Sequence, residues 1–171
     1  MYSFLEGIQL KNIIQTVDNK TISKLARKIR KLHTLTESVN FNLKHIDFNL
    51  ETEFKRKSIL HFDLTKDNIF INKDEIGFID FDDAKFGPSV YDVAITISFL
   101  FLSKSRGDEL DKIKTFIDSY YESDTQNKER ELPYIKSIAL KWIDYLLTKN
   151  SFDTSTKESF EVKKKLIEEY L

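Results

Sequence analysis

Four polar residues in one short stretch carry the side chains with which this chain could do chemistry. His61 and Asp63 follow an apolar run, Asn68 comes five residues after Asp63, and Asp80 closes the stretch. Two carboxylates and a carboxamide at this spacing can hold a divalent metal and orient a hydroxyl nucleophile, as phosphoryl transfer requires. Hard oxygen ligands, few histidines and no cysteine favour Mg²⁺ over zinc.

The segments around these residues predict how they come together. Residues 69–72 and 76–79 are short runs of β-forming residues separated by a polar turn, which is typical of a hairpin. Because a hairpin brings its outer ends together, Asn68 and Asp80 are expected to be neighbours. The pattern therefore predicts a site built from one loop, which carries Asp63, and the two ends of one hairpin.

The rest of the chain predicts a mainly helical domain. Asp18 and Asn19 offer a cap to a helix whose apolar residues repeat at helical spacing. His33 at the end of that helix is expected to have a structural role, bonding terminal carbonyls. Further helices are predicted over 49–57, 90–103, 108–123 and 156–170, and one more helix is predicted to carry the apolar residues from Ile135 to Leu146.

Local signals place the limits of these helices. Pro133 is expected in the first turn of the helix that carries Ile135 and Leu146, where its missing N–H costs little. The hydroxyl cluster at 154–156 is expected to cap the last helix. The segment over 90–103 is apolar nearly all round, so its helix should be central.

Composition narrows the classes of protein and of partner. The 171 residues fit one domain, 1–171, with 27 basic and 28 acidic residues, so no basic field suggests nucleic acid or a membrane surface as partner. Absence of cysteine excludes disulfides within this chain and suits the cytosol. The N-terminus lacks the pattern of a signal peptide, and the longest apolar run is too short to span a bilayer. The chain is therefore expected to be soluble and cytoplasmic.

Two sequence segments resemble a known enzyme family. HFDLTKDNIFIN followed by GFIDFDDAKFGPSVYDVA is similar to the catalytic and metal-binding segments of the aminoglycoside phosphotransferase family. That family of small-molecule kinases includes choline-kinase-like enzymes and is related in fold to protein kinases. The resemblance implies an α+β, mostly α, kinase-like C-terminal lobe whose small hairpin carries the metal site. It also implies an ATP-dependent, Mg²⁺-requiring kinase that transfers the γ-phosphoryl group to a hydroxyl of a small molecule.

The resemblance assigns a role to each matching position. It implies that Asp63 is the catalytic aspartate and that Asn68 and Asp80 bind the metal and, with it, the nucleotide. His61 would brace the catalytic loop, and Asp92 would pack back onto that loop in a structural role. The catalytic and metal-binding loops then occupy 58–88, and a helical subdomain occupies 89–171.

The start of the chain resembles one further part of the family, and two features differ from the complete family pattern: the absence of an N-terminal lobe and the residue at position 62. MYSFLEG resembles the hinge between the two lobes of the family, so 1–10 is expected to be hinge-like, with Tyr2 and Phe4 near the adenine. The chain has only four glycines and no Gly-rich phosphate loop, so an N-terminal lobe with its phosphate-binding lysine is expected to be absent. Phe62 stands where family members often carry glycine.

Two other functions stay open on the sequence alone. A C-lobe without its N-lobe could be a non-catalytic binding or dimerisation module, with Tyr2, Phe4 and Leu5 on the open face. A metal-dependent phosphohydrolase is the third reading, although the extra His and Asp ligands of two-metal hydrolases are missing. The acceptor cannot be read from the sequence, but a cationic one such as an amine or aminoglycoside would suit four acidic residues: Asp82, Asp83, Asp108 and Glu109.

Overall fold

The described part of the chain is mainly helical and carries two small antiparallel sheets. The computed structural model describes residues 7–13, 16–37, 39, 43, 54, 57–100 and 108–171. The mostly helical α+β class that the sequence predicts is confirmed. The predicted contacts of Tyr2 and Phe4, and most of the predicted helix over 49–57, lie outside the described residues.

The strands form the frame of the site. They are β1 (Ile8–Gln9), β2 (Ser58–Leu60), β3 (Ile69–Asn72), β4 (Glu75–Phe78) and β5 (Lys85–Gly87). One sheet has the order β1-β3-β4 and the other pairs β2 with β5. The predicted hairpin is confirmed as β3 and β4, in a register that pairs Ile69 with Phe78.

The N-terminal strand reaches the hairpin through one glycine. Gly7 has φ +151°, and a Cβ at this position would lie 2.9 Å from the carbonyl oxygen of Ile71. Only glycine lets the backbone approach β3 this closely, and β1 then pairs Ile8 with Ile71. The described end of the expected hinge-like segment is therefore a strand on the hairpin, followed by a 3₁₀ turn over Leu10–Asn12.

The helices pack as pairs around an apolar interior. They are α1 (Asn19–Thr36), α2 (Val90–Leu100), α3 (Glu109–Tyr121), α4 (Thr125–Leu147) and α5 (Thr154–Tyr170). The main contacts are α1 with α3, α2 with α4, and α4 with α5. Every residue of α2 from 90 to 98 is buried, so the predicted central helix is confirmed. Within the described ranges, no helix is both long enough and apolar enough to cross a membrane.

The helix starts confirm one predicted cap and correct two expectations. Asp18 caps α1, because its carboxylate accepts from the Thr21 N–H at 2.8 Å, as predicted. Pro133 lies inside α4 and not in the predicted first turn, because α4 begins earlier at a cap on Asp124. The ring is on the exposed face, where solvent can bond the carbonyl that loses its partner. The cap of α5 is Asp153, which accepts from the Thr156 N–H at 2.7 Å, and not the hydroxyl cluster after it.

Candidate active site

The loop after β2 folds into a tight turn that carries Asp63 and Asn68. The Thr65 N–H donates to the Asp63 carbonyl at 2.8 Å, and the Asn68 N–H donates to the Thr65 carbonyl at 3.1 Å. The Asn68 side-chain Nδ2 donates to the Asp63 carbonyl at 3.0 Å and to its Oδ2 at 2.7 Å. The turn thus fixes the carboxamide of Asn68 directly against the carboxylate of Asp63.

These contacts determine which atoms of the pair remain available. Both partners of the Asn68 amide are oxygen acceptors, so Nδ2 must face them and Oδ1 must face away. On Asp63 the bond from Asn68 uses Oδ2, which leaves Oδ1 for a further partner. The pair therefore presents one neutral oxygen ligand and one carboxylate oxygen side by side.

The end of the hairpin brings Asp80 to the same place. The Ile79 N–H donates to the Asn68 carbonyl at 3.1 Å, which continues the β3–β4 ladder to the residue before Asp80. Asp80 itself is exposed and has φ 62°, so its backbone turns sharply out of the strand. The structure therefore places Asp80 beside the Asp63–Asn68 turn, where a hairpin between 69–72 and 76–79 would put it.

Electrostatics at the turn make Asp63 a better base. Burial raises the pKa of the Asp63 carboxyl, and the nearby carboxylates of Asp83 and Asp80 raise it further. The hydrogen bond from Asn68 and the His61 ring act in the opposite direction. A carboxylate with a raised pKa accepts a proton more readily, which is the property that a general base needs.

His61 braces the two loops from inside. Its ring is fully buried, and Nε2 lies 2.7 Å from the Ile79 carbonyl, an acceptor, so Nε2 carries the proton and donates. The ring also packs against Phe81 with centroids 4.4 Å apart. His61 therefore joins the loop of Asp63 to the loop of Asp80, and this geometry gives it a positioning contact rather than a contact with substrate.

Asp92 binds the backbone of the loop that leads to Asp63. This buried carboxylate on α2 accepts from the His61 N–H at 2.8 Å and from the Phe62 N–H at 2.9 Å. Phe62 has φ 65°, a left-handed conformation that costs a residue with a Cβ about 1–2 kcal/mol. The two bonds to Asp92 hold the strained conformation here.

A second layer behind Asp92 was missed in the sequence. His33 Nε2 lies 3.1 Å from the Asp92 carboxylate, and its Nδ1 lies 2.7 Å from the Tyr120 hydroxyl. Burial raises the pKa of Tyr120, so the hydroxyl stays protonated and can donate to Nδ1, which leaves Nε2–H for Asp92. The role of His33 is structural, but its partners are these side chains and not the helix-end carbonyls expected for it. Its place on the buried stripe of α1, four residues after Ile29, is the signal that could have revealed this.

The acidic residues considered for a cationic acceptor are not equivalent. Asp82 and Asp83 are exposed just after Asp80. Asp108 pairs with Lys112 at 2.9 Å, and Glu109 is buried. Only the first pair therefore presents free negative charge near the Asp63–Asn68 turn.

The donor set fits Mg²⁺ with few protein ligands. Within the described ranges, no group of three or more His, Cys, Asp or Glu side chains is arranged to hold a metal ion. The candidate ligands are one carboxylate, on Asp80, and the outward-facing amide oxygen of Asn68. Mg²⁺ in phosphotransferases commonly takes one or two protein oxygens and completes its shell with phosphates and water, so this set fits it.

Comparisons with known proteins agree with the motif. The model of the phosphotransferase enzyme family, APH, matches residues 45–121, a range that contains the whole Asp63–Asp80 site and Asp92. No curated protein matches the chain. Among solved structures, an ethanolamine kinase from Plasmodium vivax matches in fold with a TM-score of 0.55 and 16% identity, over 96% of this chain. The match covers 63% of that kinase, so this chain spans less than two thirds of its length. The resemblance to the aminoglycoside phosphotransferase family is confirmed over the matched residues, and the ethanolamine kinase shows a similar fold.

Proposed function

We propose that this chain, as a lobe of the aminoglycoside phosphotransferase and choline-kinase-like family, carries the catalytic side of a kinase for small molecules. The reaction is transfer of the γ-phosphoryl group of ATP to a hydroxyl. Asp63 is the base, and Asn68 and Asp80 are the residues that would hold Mg²⁺. Bound there, Mg²⁺ would neutralise charge on the nucleotide phosphates.

One observation carries this proposal. The Asn68 carboxamide donates to the Asp63 carboxylate at 2.7 Å through Nδ2, so its Oδ1 faces away from the base and is the oxygen that could bind a metal ion. If Asn68 served only to close the turn, its side chain would not need to contact the Asp63 carboxylate, whose pKa is raised, while it keeps its own Oδ1 available. Linking the base to the metal ligand keeps both at a constant separation, which is what catalysis by positioning requires.

The residues account for the movement of each bond and proton. The acceptor hydroxyl binds to Oδ1 of Asp63, the oxygen that Asn68 leaves free. The hydroxyl oxygen attacks the γ-phosphorus while the bond from that phosphorus to the bridging oxygen breaks, and its electron pair leaves with ADP. The hydroxyl proton passes to Asp63. Asp92 and His61 hold the loop so that Oδ1 faces the acceptor.

Local charge supports an acceptor that carries a cation. The exposed carboxylates of Asp82 and Asp83 would attract an ammonium group. The similar structure is named an ethanolamine kinase, so an amino alcohol is the first acceptor to test.

The test is ADP release in the presence of Mg²⁺ and a panel of amino alcohols and aminoglycosides. We expect Asp63→Asn to reduce turnover by about 10²–10⁴-fold, because it removes the base but retains an acceptor for Asn68. The matched control is Asp67→Asn, four residues further along the same loop, where the exposed carboxylate pairs only with Lys11 at 2.8 Å among the described contacts. The proposed role of Asp63 is wrong if both variants keep parental turnover.

A binding measurement separates the site from the rest of the nucleotide pocket. Mn²⁺ in place of Mg²⁺ broadens NMR signals of nearby groups, so titration with Mn²⁺ and ATP should broaden the Asn68 side-chain amide first. Asp80→Asn should weaken this effect, whereas the neighbouring Asp82→Asn should not. Broadening without turnover would support the site and assign the missing activity to parts of the longer relatives that this chain does not span. Neither broadening nor turnover would favour the alternative of a non-catalytic binding module.

A further inference from the structure

A second groove lies away from the Asp63 site, between α1 and the hairpin. It has a volume of about 660 Å³. One wall is the basic face of α1, and the other is the outer edge and turn of the hairpin. The residues that line it are Lys24, Arg27, Lys28, Lys31, Phe70, Asn72, Asp74, Glu75, Ile76, Gly77 and Phe78.

The hairpin wall of this groove is an open strand edge. In the described sheet β4 is the last strand, after β1 and β3. Because the Ile79 N–H bonds the Asn68 carbonyl, the alternating antiparallel ladder directs the backbone of Gly77 toward β3. The N–H and C=O groups of Ile76 and Phe78 then point outward into the groove. No donor or acceptor in the described part of the chain bonds these groups.

The α1 wall of the groove is basic, and only some of its basic side chains form ion pairs with described residues. Lys24 pairs with Asp74 of the hairpin turn, and Arg27 pairs with Glu122. Lys28 and Lys31 are exposed, and neither forms an ion pair with any residue that the structure describes. Two ammonium groups one helical turn apart therefore line a groove whose other wall can form strand hydrogen bonds.

We propose that this groove binds an extended acidic peptide, which adds to β4 as a further strand of the sheet. Its backbone would pair with the outward N–H and C=O groups of Ile76 and Phe78. Its carboxylates would lie against Lys28 and Lys31. Alternate apolar side chains would pack on the Phe70 ring, which is partly exposed at the groove.

Two other occupants fit these observations less well. A second copy of the chain would pair two β4 edges about a two-fold axis and bring two basic α1 faces together, which like-charge repulsion opposes. A nucleic acid would satisfy the lysines but not a strand edge, whose alternating donors and acceptors match a peptide backbone. Lysines beside an edge strand also discourage self-aggregation, and that role alone predicts no saturable peptide binding.

The test uses fluorescence anisotropy with three labelled peptides and no nucleotide or Mg²⁺, so its result does not depend on kinase activity. The first peptide alternates glutamate with valine and phenylalanine, the second has lysine in place of glutamate, and the third is the first with one central proline. We expect saturable binding of the first peptide alone, since proline removes a ladder donor. Equal binding of the acidic and basic peptides, or of the proline peptide, overturns the proposal.

Charge variants and backbone signals complete the test. Lys28→Glu with Lys31→Glu should weaken the first peptide by about tenfold or more, whereas Lys141→Glu with Lys165→Glu, on exposed helix positions elsewhere, should not. The amide protons of Ile76 and Phe78 should become protected from hydrogen exchange when this peptide binds. Unchanged exchange at both amides, or concentration-dependent dimerisation that protects them without peptide, would refute strand addition by a peptide.

Discussion

The loops around Asp63 and the helices behind them are stabilised in opposite ways. The loops contain two residues with positive φ, Phe62 at 65° and Asp80 at 62°, and their shape depends on a few buried hydrogen bonds. The pair α2 and α4 is held by many apolar contacts between regular helices. Removing one contact should therefore change the shape of the loops, whereas in the helices it should lower stability without moving the site.

The largest effect should come from Asp92→Ala. The variant leaves the N–H groups of His61 and Phe62, and the His33 ring, without their buried acceptor, and breaking such a buried network costs about 3–5 kcal/mol. We expect the free energy of unfolding in urea to fall by that amount. The His61 and Phe62 amides should exchange with solvent far faster than other buried amides.

The contrasting change is Ile143→Ala, inside α4. Ile143 is fully buried, and its truncation should cost about 2–5 kcal/mol through lost burial and a cavity. The two loop amides should nevertheless stay protected under native conditions, because Asp92 still binds them. Equal loss of loop protection in both variants would mean that the loops and the helices are one cooperative unit.

The next largest effect should be the change with pH of the free energy of unfolding that Lys163, a buried polar residue of α5, causes. Its Nζ donates to the Ser98 carbonyl at 3.0 Å, and burial lowers the pKa of Lys163 to about 7, against a weaker opposing effect of Glu109. In the unfolded chain Lys163 has the ordinary lysine pKa of 10.5, so the unfolded chain binds more protons than the folded chain between pH 7 and pH 10. Stability from this group should therefore rise with pH across that window, by at most about 1.4 kcal/mol per pH unit.

A substitution isolates this slope. Lys163→Met should remove the increase in unfolding free energy between pH 7 and pH 10. Lys165→Met, on the exposed side of the same helix, should leave it. A slope that is the same in the parent and in Lys163→Met shows that Lys163 keeps its charge when the protein folds.

The smallest effect should come from Asp80→Gly, and it has the opposite sign. Glycine adopts φ 62° without strain, so this change should raise the free energy of unfolding by about 0.5–1 kcal/mol while it removes a proposed Mg²⁺ ligand. Asp82→Gly, where φ is not positive, should lower it because glycine gains entropy in the unfolded chain. Calorimetry of the two variants checks whether their signs differ, and a loss of stability in both would rule out strain at Asp80.

Much of the fold could be predicted because it follows from local patterns. The apolar spacing in α1 and the continuous apolar character of α2 are properties of neighbouring residues. The hairpin needs only two β-forming runs and a polar turn. The prediction from Pro133 was wrong because a proline is only one local signal for a helix start. The Asp124 cap upstream and the apolar face that continues past Pro133 are stronger signals.

The candidate site likewise has one part that could be predicted from the sequence and one part that could not. The types and spacing of Asp63, Asn68 and Asp80 were enough to predict a base and oxygen ligands. Which atoms are available depends on the folded structure: Nδ2 of Asn68 donates to Asp63, and Oδ1 faces away. That structure also decided that Asp92 lies under the loop, with His33 and Tyr120 behind it. Those contacts join side chains far apart along the chain, and no local propensity records them, because each depends on how α1, α2 and α3 pack.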